Sequence, residues 1–317
     1  MKDSKIEWTD HTFNTHRGCT KVSAGCANCY AETLSGRNPA VLGIWGPNGT
    51  RVVAAESAWR EPLKWNREAV EAGERHRVFC ASLADVFEDW KGPMLNSHGD
   101  ELFSDRIGGW SDRVGDKDGH RLKLTMQDVR TRLYKLIDAT PNLDWLLLTK
   151  RPENIRRMMP LFRSPGEKRV VESWPRNKNV WLGTSIENRS VLHRIDALRS
   201  NPAVVRFLSI EPLLEDLGTI DLTGIHWVIV GGESGRGARP CDLAWIRSIR
   251  DQCRAAGVPV FVKQLGANPS ATLAESGTDP GDDDNIERLK LSDKKGGDWE
   301  EWPSDLRVRE FPKGGAS

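Results

Sequence analysis

Two tyrosines in 317 residues is a sparse supply, and it contrasts with thirteen tryptophans. Most of those indoles are expected to pack in the core, with some free to stack on bases. Long apolar runs are also missing. None reaches the length needed to span a bilayer, which argues against a helical membrane protein, and no secretory leader opens the chain. The six cysteines (19, 26, 29, 80, 241 and 253) are too few and too scattered for a disulfide scaffold. These absences point to a cytoplasmic protein with no membrane partner, whose thiols stay reduced and free to bind metal. Net charge is nearly absent too, at +1, so no global field draws the chain to a polyanion.

Charge is nevertheless unevenly spread. Residues 271–317 carry a net of −5, and residues 150–178 a net of +6 from nine basic and three acidic side chains. The basic stretch is a candidate phosphate-binding face, with a solvated surface as the plainer alternative.

Three of the cysteines, Cys19, Cys26 and Cys29, fall within eleven residues in the spacing C-x6-C-x2-C. Gly18, Ser23, Gly25 and Asn28 place them on a loop, and a helix is expected to start near Ala31. Three soft donors so close together can converge on one metal. An iron–sulfur cluster held by three thiolates keeps one iron open for chemistry. A zinc site completed by His11 or His16 is the main alternative, and a disulfide or plain buried thiols the remaining one.

The rest of the chain repeats a short apolar run, a polar end and a helical segment. The runs are Arg77–Asp85, Asp144–Arg151, Asn179–Glu187, Val204–Leu213, His226–Ser234 and Pro259–Gly266, with Thr12–Asn14 as a short first strand. Near-continuous apolar character marks strands buried on both faces of a parallel sheet. Helical patterns lie at Met126–Ala139, Glu187–Ser200 and Leu243–Ala256. The fold class is therefore α/β, a full or partial (β/α) barrel resembling the TIM type, with an open doubly wound sheet as the alternative. The barrel is expected over 1–270, with loop insertions near 36–58 and 91–123 as candidate lids. Residues 271–317 are expected to form a charged flexible segment and an extension that packs back on the barrel. Polar residues end nearly every strand, where parallel α/β folds bind ligands, so the cysteine loop and these groups should share one mouth.

The segments KIEWTDHTFN, GCTKVSAGCANCYAE, RVFCASLADVFED, DWLLLTKRP, NVWLGTSIEN, RFLSIEPLL, WVIVGGESG, FVKQLG and WPSDLRVREFP together resemble a phage-borne and bacterial family of three-cysteine proteins. That family looks like a divergent branch of the radical S-adenosylmethionine (SAM) superfamily, similar in kind to the spore photoproduct lyases that repair a UV-induced thymine dimer. The superfamily's usual spacing is C-x3-C-x2-C, so the loop here is longer. The resemblance implies that Cys19, Cys26 and Cys29 ligate a [4Fe–4S] cluster and that SAM chelates its open iron. An electron from a flavodoxin or ferredoxin would then yield a 5′-deoxyadenosyl radical that abstracts a substrate hydrogen. Nucleic acid, and DNA first, is the implied substrate, for repair or base modification. Radical modification of a small molecule or peptide is a second reading. A zinc-stabilised barrel that binds nucleic acid without turnover is a third.

Candidate residues follow. Gly231-Gly232-Glu233 ends a strand and resembles the superfamily's Gly-Gly-Glu motif; its glycines could admit a ligand and Glu233 bind an ammonium or ribose, or the pair could simply make a tight turn. Glu211 is a strand-end carboxylate with the same scope, or a helix cap. Lys150 and Ser185 are candidate cofactor contacts, Lys150 being equally suited to an ion pair with Glu187 or Glu211. Cys80, two residues before Ser82, would share its face and could donate a hydrogen atom to a substrate radical; a small core residue is the plainer reading. Tyr30, the aromatic neighbour of Cys29, is the second catalytic candidate.

Overall fold

Seven apolar runs pair in chain order, each with the next. The computed structural model describes residues 2, 4–104, 110–111, 122–159, 161–162, 171–172, 178–272 and 286–313. Within these, strands β1 (His11–Thr12), β2 (His76–Cys80), β3 (Leu143–Thr149), β4 (Val180–Ser185), β5 (Val205–Ile210), β6 (Trp227–Gly231) and β7 (Val260–Gln264) form one sheet in the order 1-2-3-4-5-6-7. All six pairings are parallel. Parallel neighbours in strict succession, linked by right-handed crossovers, curl a sheet one way. The result is a half-barrel, a partial version of the TIM architecture, and the doubly wound alternative falls because the strand order never reverses.

Two faces of each strand carry different work. The concave face holds Leu146, Trp181, Val205, Phe207, Trp227, Ile229 and Phe261, joined by Phe79 and Trp8 in one apolar cluster. Trp227 is its hub, with the rings of Trp8, Trp181, Phe207 and Phe261 5.9–6.3 Å away. Gly183 lies on the same face because a Cβ there would enter the Phe207 ring. The convex face carries Trp145, Leu147, Leu182, Leu208, Val228 and Val262 against the helices. Tryptophan is therefore chiefly a core residue: Trp8, Trp59, Trp65, Trp145, Trp181, Trp227 and Trp302 are all buried.

Helix α1 (Tyr30–Ser35) follows the cysteine loop. Helices α2 (Glu56–Ala72), α3 (Met126–Asp138), α4 (His193–Arg199) and α5 (Leu243–Ala256) lie between successive strands. Thr125 and Asp128 start α3 with a reciprocal capping box, and Asp242 caps α5. The expected helix at Glu187–Ser200 shrinks to α4 after a 3-10 turn at Arg189–Val191. Helix α2 is missing from the sequence reading because Pro62 interrupts its pattern; the helix nevertheless runs through it and buries the ring.

The 36–58 excursion is more ordered than a lid. Its strand Arg51–Val53 pairs with His16–Arg17 and Met94–Leu95, so it braces the entry to the cysteine loop. The 91–123 insertion contributes Phe103–Ser104, Trp110–Ser111 and Leu122–Lys123 to a small antiparallel sheet. Its residues 105–109 and 112–121 lie outside the described residues, as do 273–285 of the charged insertion and Arg163, Lys168, Arg169 and Arg176 of the basic stretch. Residues 308–310 hydrogen-bond along β7, and Trp302 and Leu306 are buried against the core. No helix among the described residues is long and apolar enough to cross a membrane.

Since Phe207 fills the space a methyl group at 183 would need, Gly183→Ala should overpack the concave cluster. A loss of about 1–3 kcal/mol is expected, read as a lower denaturation midpoint with an unchanged slope. A second change, Phe207→Leu, should recover part of it. An unchanged midpoint in Gly183→Ala would contradict the packing described.

Candidate functional site

The concave apolar rows do not stop at the strand ends. Read two residues at a time, they run from Phe79 to Ala81, from Leu148 to Lys150, from Trp181 through Gly183 to Ser185, from Phe207 through Ser209 to Glu211, and from Phe261 to Lys263; on β6 the register shifts between Val230 and Gly231, and Gly232 and Glu233 reach the cavity. Period-two alternation thus turns the concave face from apolar to polar at its C-terminal rim. A cavity of about 500 Å³ opens there, a size typical of small-molecule sites. Trp8, Phe79 and Leu148 make its apolar lining, and Cys19, Cys26 and Cys29 line it as well.

Three buried carboxylates fix the loop that carries those cysteines. Asp85 accepts from the Thr149 hydroxyl at 2.8 Å and from Arg151 Nη1 at 2.8 Å; Arg151 Nη2 in turn donates to the Thr20 carbonyl at 2.6 Å. Glu187 accepts from Ser23 Oγ at 2.7 Å and from Arg194 Nη1 at 2.9 Å. A Cβ on Gly25 would collide with that Glu187 side chain, so only glycine lets the loop lie so close. Glu233 accepts from Asn28 Nδ2 at 2.9 Å and from Arg239 at 2.6 and 3.0 Å, while Arg239 Nη1 donates to the Ala24 carbonyl at 2.9 Å. Each carboxylate therefore governs the surroundings of one cysteine: Thr20 beside Cys19, Ser23 and Gly25 before Cys26, Asn28 before Cys29. A fourth tie comes from Tyr30, whose hydroxyl donates to the Ser82 carbonyl at 2.7 Å.

A second layer holds the wall behind Cys19. Arg51 is fully buried and forms a bidentate pair with Glu88 at 2.7 and 2.8 Å. It also donates to Thr20 Oγ1 at 2.8 Å and to the Thr50 carbonyl at 3.0 Å. Removing one partner of such a buried pair typically costs about 3–5 kcal/mol. Burial, with Asp85 adding to it, pushes the Cys19 thiol up to about 12. On the opposite rim Lys263 Nζ lies 3.0 Å from Glu211 Oε1, an ion pair without the alignment of a directed hydrogen bond. Burial works against the Lys263 charge, but Glu211 outweighs it and holds the ammonium above its ordinary value.

Most sequence-predicted residues meet at this mouth. Cys19, Cys26, Cys29, Tyr30, Lys150, Ser185, Glu211, Gly232 and Glu233 all line the cavity. Their engagements narrow what each can do. Lys150 Nζ is 3.5 Å from Glu187, the ion pair weighed as an alternative. Glu211 pairs with Lys263 rather than capping a helix. Glu233 is taken up by Asn28 and Arg239, so it clamps the loop. Gly231 and Gly232 are glycine because Gln264 and Leu265 backbone atoms occupy the space of a Cβ; Gly232 lines the cavity, whereas Gly231, expected as a cofactor contact, packs against β7 and is not part of the lining. Cys80 corrects an expectation. Strand β2 ends at Cys80, so alternation does not carry to Ser82; Phe79 and Ala81 line the cavity, and Cys80 is wholly buried on the other side. Burial pushes its thiol far up.

Three free, partly exposed thiols on one cavity supply the donor chemistry of an iron–sulfur group. Among the described residues, no three His, Cys, Asp or Glu side chains are arranged to hold a metal ion; the thiols share a wall without meeting at a point. Neither histidine of the zinc alternative lines the cavity. His11 stacks on Trp65 at 4.4 Å and contacts His76 Nδ1 at 3.1 Å. His16 is wholly buried beside the Thr15 hydroxyl, 2.8 Å away. Burial, with Arg51 and Arg130 adding to it, pushes His16 down to about 3. Sequence reasoning missed Arg51, Glu88, Arg194 and Arg239. Arg51 and Glu88 lie thirty-seven residues apart; Arg194 and Arg239 lie seven and six residues from Glu187 and Glu233, but outside the strands, where no periodicity marks the pairing.

The fold and mouth define an α/β half-barrel protein with a three-cysteine rim. More particularly, the chain belongs to the family described as protein of unknown function, DUF5131, whose model matches residues 3–93 and 121–298. No curated protein matches it. Among solved structures, a cysteine-to-serine mutant of spore photoproduct lyase is similar at a TM-score of 0.41 and 13% identity, over 87% of this chain and 69% of that one. A likeness so distant carries no inference about activity.

The clamp predicts how the loop responds to mutation and acid. Arg239→Ala should speed amide exchange across residues 24–28 by about ten- to a hundredfold, the loss of a charge-assisted contact worth roughly 1.5–3 kcal/mol, while the β3–β6 amides stay protected. Burial tends to raise the Glu233 carboxyl, but hydrogen bonds from Arg239 and Asn28 prevail and hold it below the usual carboxylate value. Its stabilisation is thus complete above the ordinary carboxylate range and is lost as pH falls through the lowered value. Protection at 24–28 should persist down through that range and disappear only beneath it. Loss of protection near neutral pH would contradict the clamp.

Proposed function

We propose that this protein is an iron–sulfur enzyme of radical SAM type that acts on nucleic acid. The observation that carries the first part is the placement of three free thiols on a cavity rimmed by strand-end polar groups, with both candidate histidines packed elsewhere. Cys19, Cys26 and Cys29 would hold the cluster. When bound, such a group supplies an electron to SAM; a flavodoxin- or ferredoxin-like protein would deliver it. The chain's own contribution is binding and orientation. The Lys263 ammonium and the serines at 185 and 209 face the same cavity and suit the charged amino-acid end and hydroxyls of a SAM-sized ligand. Trp8, Phe79 and Leu148 keep the inner end of the cavity dry.

The nucleic-acid part is supported by the basic stretch. Arg156 and Arg157 are exposed on the turn that follows β3, the strand that delivers Lys150. Repair of a pyrimidine photoproduct and base modification are the two chemistries of interest. Radical modification of a small molecule or peptide is what remains if nucleic acid has no effect on turnover. The zinc-stabilised, non-catalytic barrel is disfavoured by the position of His11 and His16.

After anaerobic reconstitution, Cys19→Ala, Cys26→Ala and Cys29→Ala should each lose iron and sulfide, whereas Cys241→Ala and Cys253→Ala should retain them. The reduced protein should release 5′-deoxyadenosine from SAM, and UV-irradiated DNA should raise the yield. A colourless zinc protein, or no 5′-deoxyadenosine above a triple-cysteine control, would overturn the radical reading. Equal yields with irradiated, undamaged and no DNA would overturn the nucleic-acid assignment alone.

A further inference from the structure

Arg151 is placed to do more than anchor the loop. It is nearly buried, and its Nη1 lies 3.7 Å from Cys19 Sγ as well as 2.8 Å from Asp85 Oδ2. Its Nη2 donates to the Thr20 carbonyl and stands 3.6 Å from Glu88. One planar fork thus serves a sulfur, a carboxylate and a carbonyl at once, which a lysine ammonium at the same position could not span. Resting on the iron–sulfur reading above, we propose that Arg151 is a positioning residue that sets the reduction potential of a cluster held at Cys19, through its hydrogen bond to the ligating sulfur.

Two physical effects act in the same direction. A hydrogen-bond donor on a cluster sulfur draws electron density from it and favours the more negative, reduced state. The charge behind the sulfur matters as well. Asp85 and Glu88 are both buried close to Cys19 and oppose negative charge there, while Arg151 and Arg51 supply one guanidinium for each. The wall is therefore neutral as built. Without Arg151, the Asp85 carboxylate faces the sulfur uncompensated, and in a site of low dielectric that repulsion falls on the added electron. Loss of the donor and loss of the counter-charge both make reduction harder. The same logic separates Arg151 from Arg239: the latter ties down the loop through the Ala24 carbonyl and Glu233, and no contact joins it to a sulfur.

The test compares wild type, Arg151→Lys and Arg151→Gln after anaerobic reconstitution. Iron and sulfide per chain are measured first, and the midpoint potential then follows from a redox titration read by electron paramagnetic resonance. Arg151→Gln should be harder to reduce by about tenfold, a shift of roughly 59 mV to more negative potential for one electron. Arg151→Lys keeps the charge but not the fork and should shift less, in the same direction. Variants that load iron fully and titrate at the wild-type potential would overturn the role of Arg151 and leave the cluster reading standing. If Arg151→Gln cannot hold iron, Arg151→Lys decides: a negative shift supports the proposal, and a wild-type potential overturns it. A wild type that takes up neither iron nor sulfide would bring down the iron–sulfur reading and this proposal with it.

Discussion

A carboxylate buried at a strand end cannot remain unpaired, and this protein has three at one rim. Asp85, Glu187 and Glu233 are each less than one-tenth exposed. Taking such groups out of water costs several kcal/mol apiece unless donors surround them. The parallel half-barrel gathers all three at its C-terminal edge, and their donors include Ser23 and Asn28 of the cysteine loop and Arg151 and Arg239, which also bond loop carbonyls. The loop is held chiefly by these charged contacts, and Val22, its one large apolar side chain, is exposed. Its position follows from the sheet, and the sheet's curvature follows from strands that pair strictly in sequence.

The same arrangement separates stability from chemistry. Below the rim, the concave cluster around Trp227 and the convex layer under the helices fill the barrel with apolar side chains. Above it, Ser185, Glu211 and Lys263 continue the concave rows into the cavity. Ser185 and Lys263 each stand two positions beyond a packed concave residue, Gly183 and Phe261, so the core beneath sets their direction. Such backing is what a site needs to hold charged groups in fixed geometry. Arg51 and Glu88 extend the principle sideways: a fully buried ion pair braces the wall that Cys19 and Thr20 rest on.

Much of this was legible in the chain. Seven apolar runs with polar ends specified the strands, and their alternation with helical segments specified a parallel sheet, because continuous apolar runs suit strands buried on both faces. The cavity-lining set of Lys150, Ser185, Glu211 and Glu233 was legible for the same reason, since strand ends converge in such folds. What failed had identifiable causes. Alternation was extended from Cys80 to Ser82 across the end of a strand, where period two no longer holds. Helix α2 was hidden by Pro62, which tertiary packing tolerates. Glu233 was read as a ligand group because its clamp partner Arg239 lies in a loop that no periodicity marks. The Arg51–Glu88 pair joins residues thirty-seven positions apart, a contact that a single sequence cannot display.

The central claim is that three cysteines, positioned by three strand-end carboxylates, hold a cluster with one iron left for a small-molecule ligand. Mössbauer spectroscopy of protein reconstituted with enriched iron, recorded with and without SAM, tests it most directly. The account predicts the spectrum of a four-iron cluster in which SAM alters the signal of a single iron site and leaves the others unchanged. A spectrum that SAM does not alter, or iron present only as adventitiously bound mononuclear species, would contradict it.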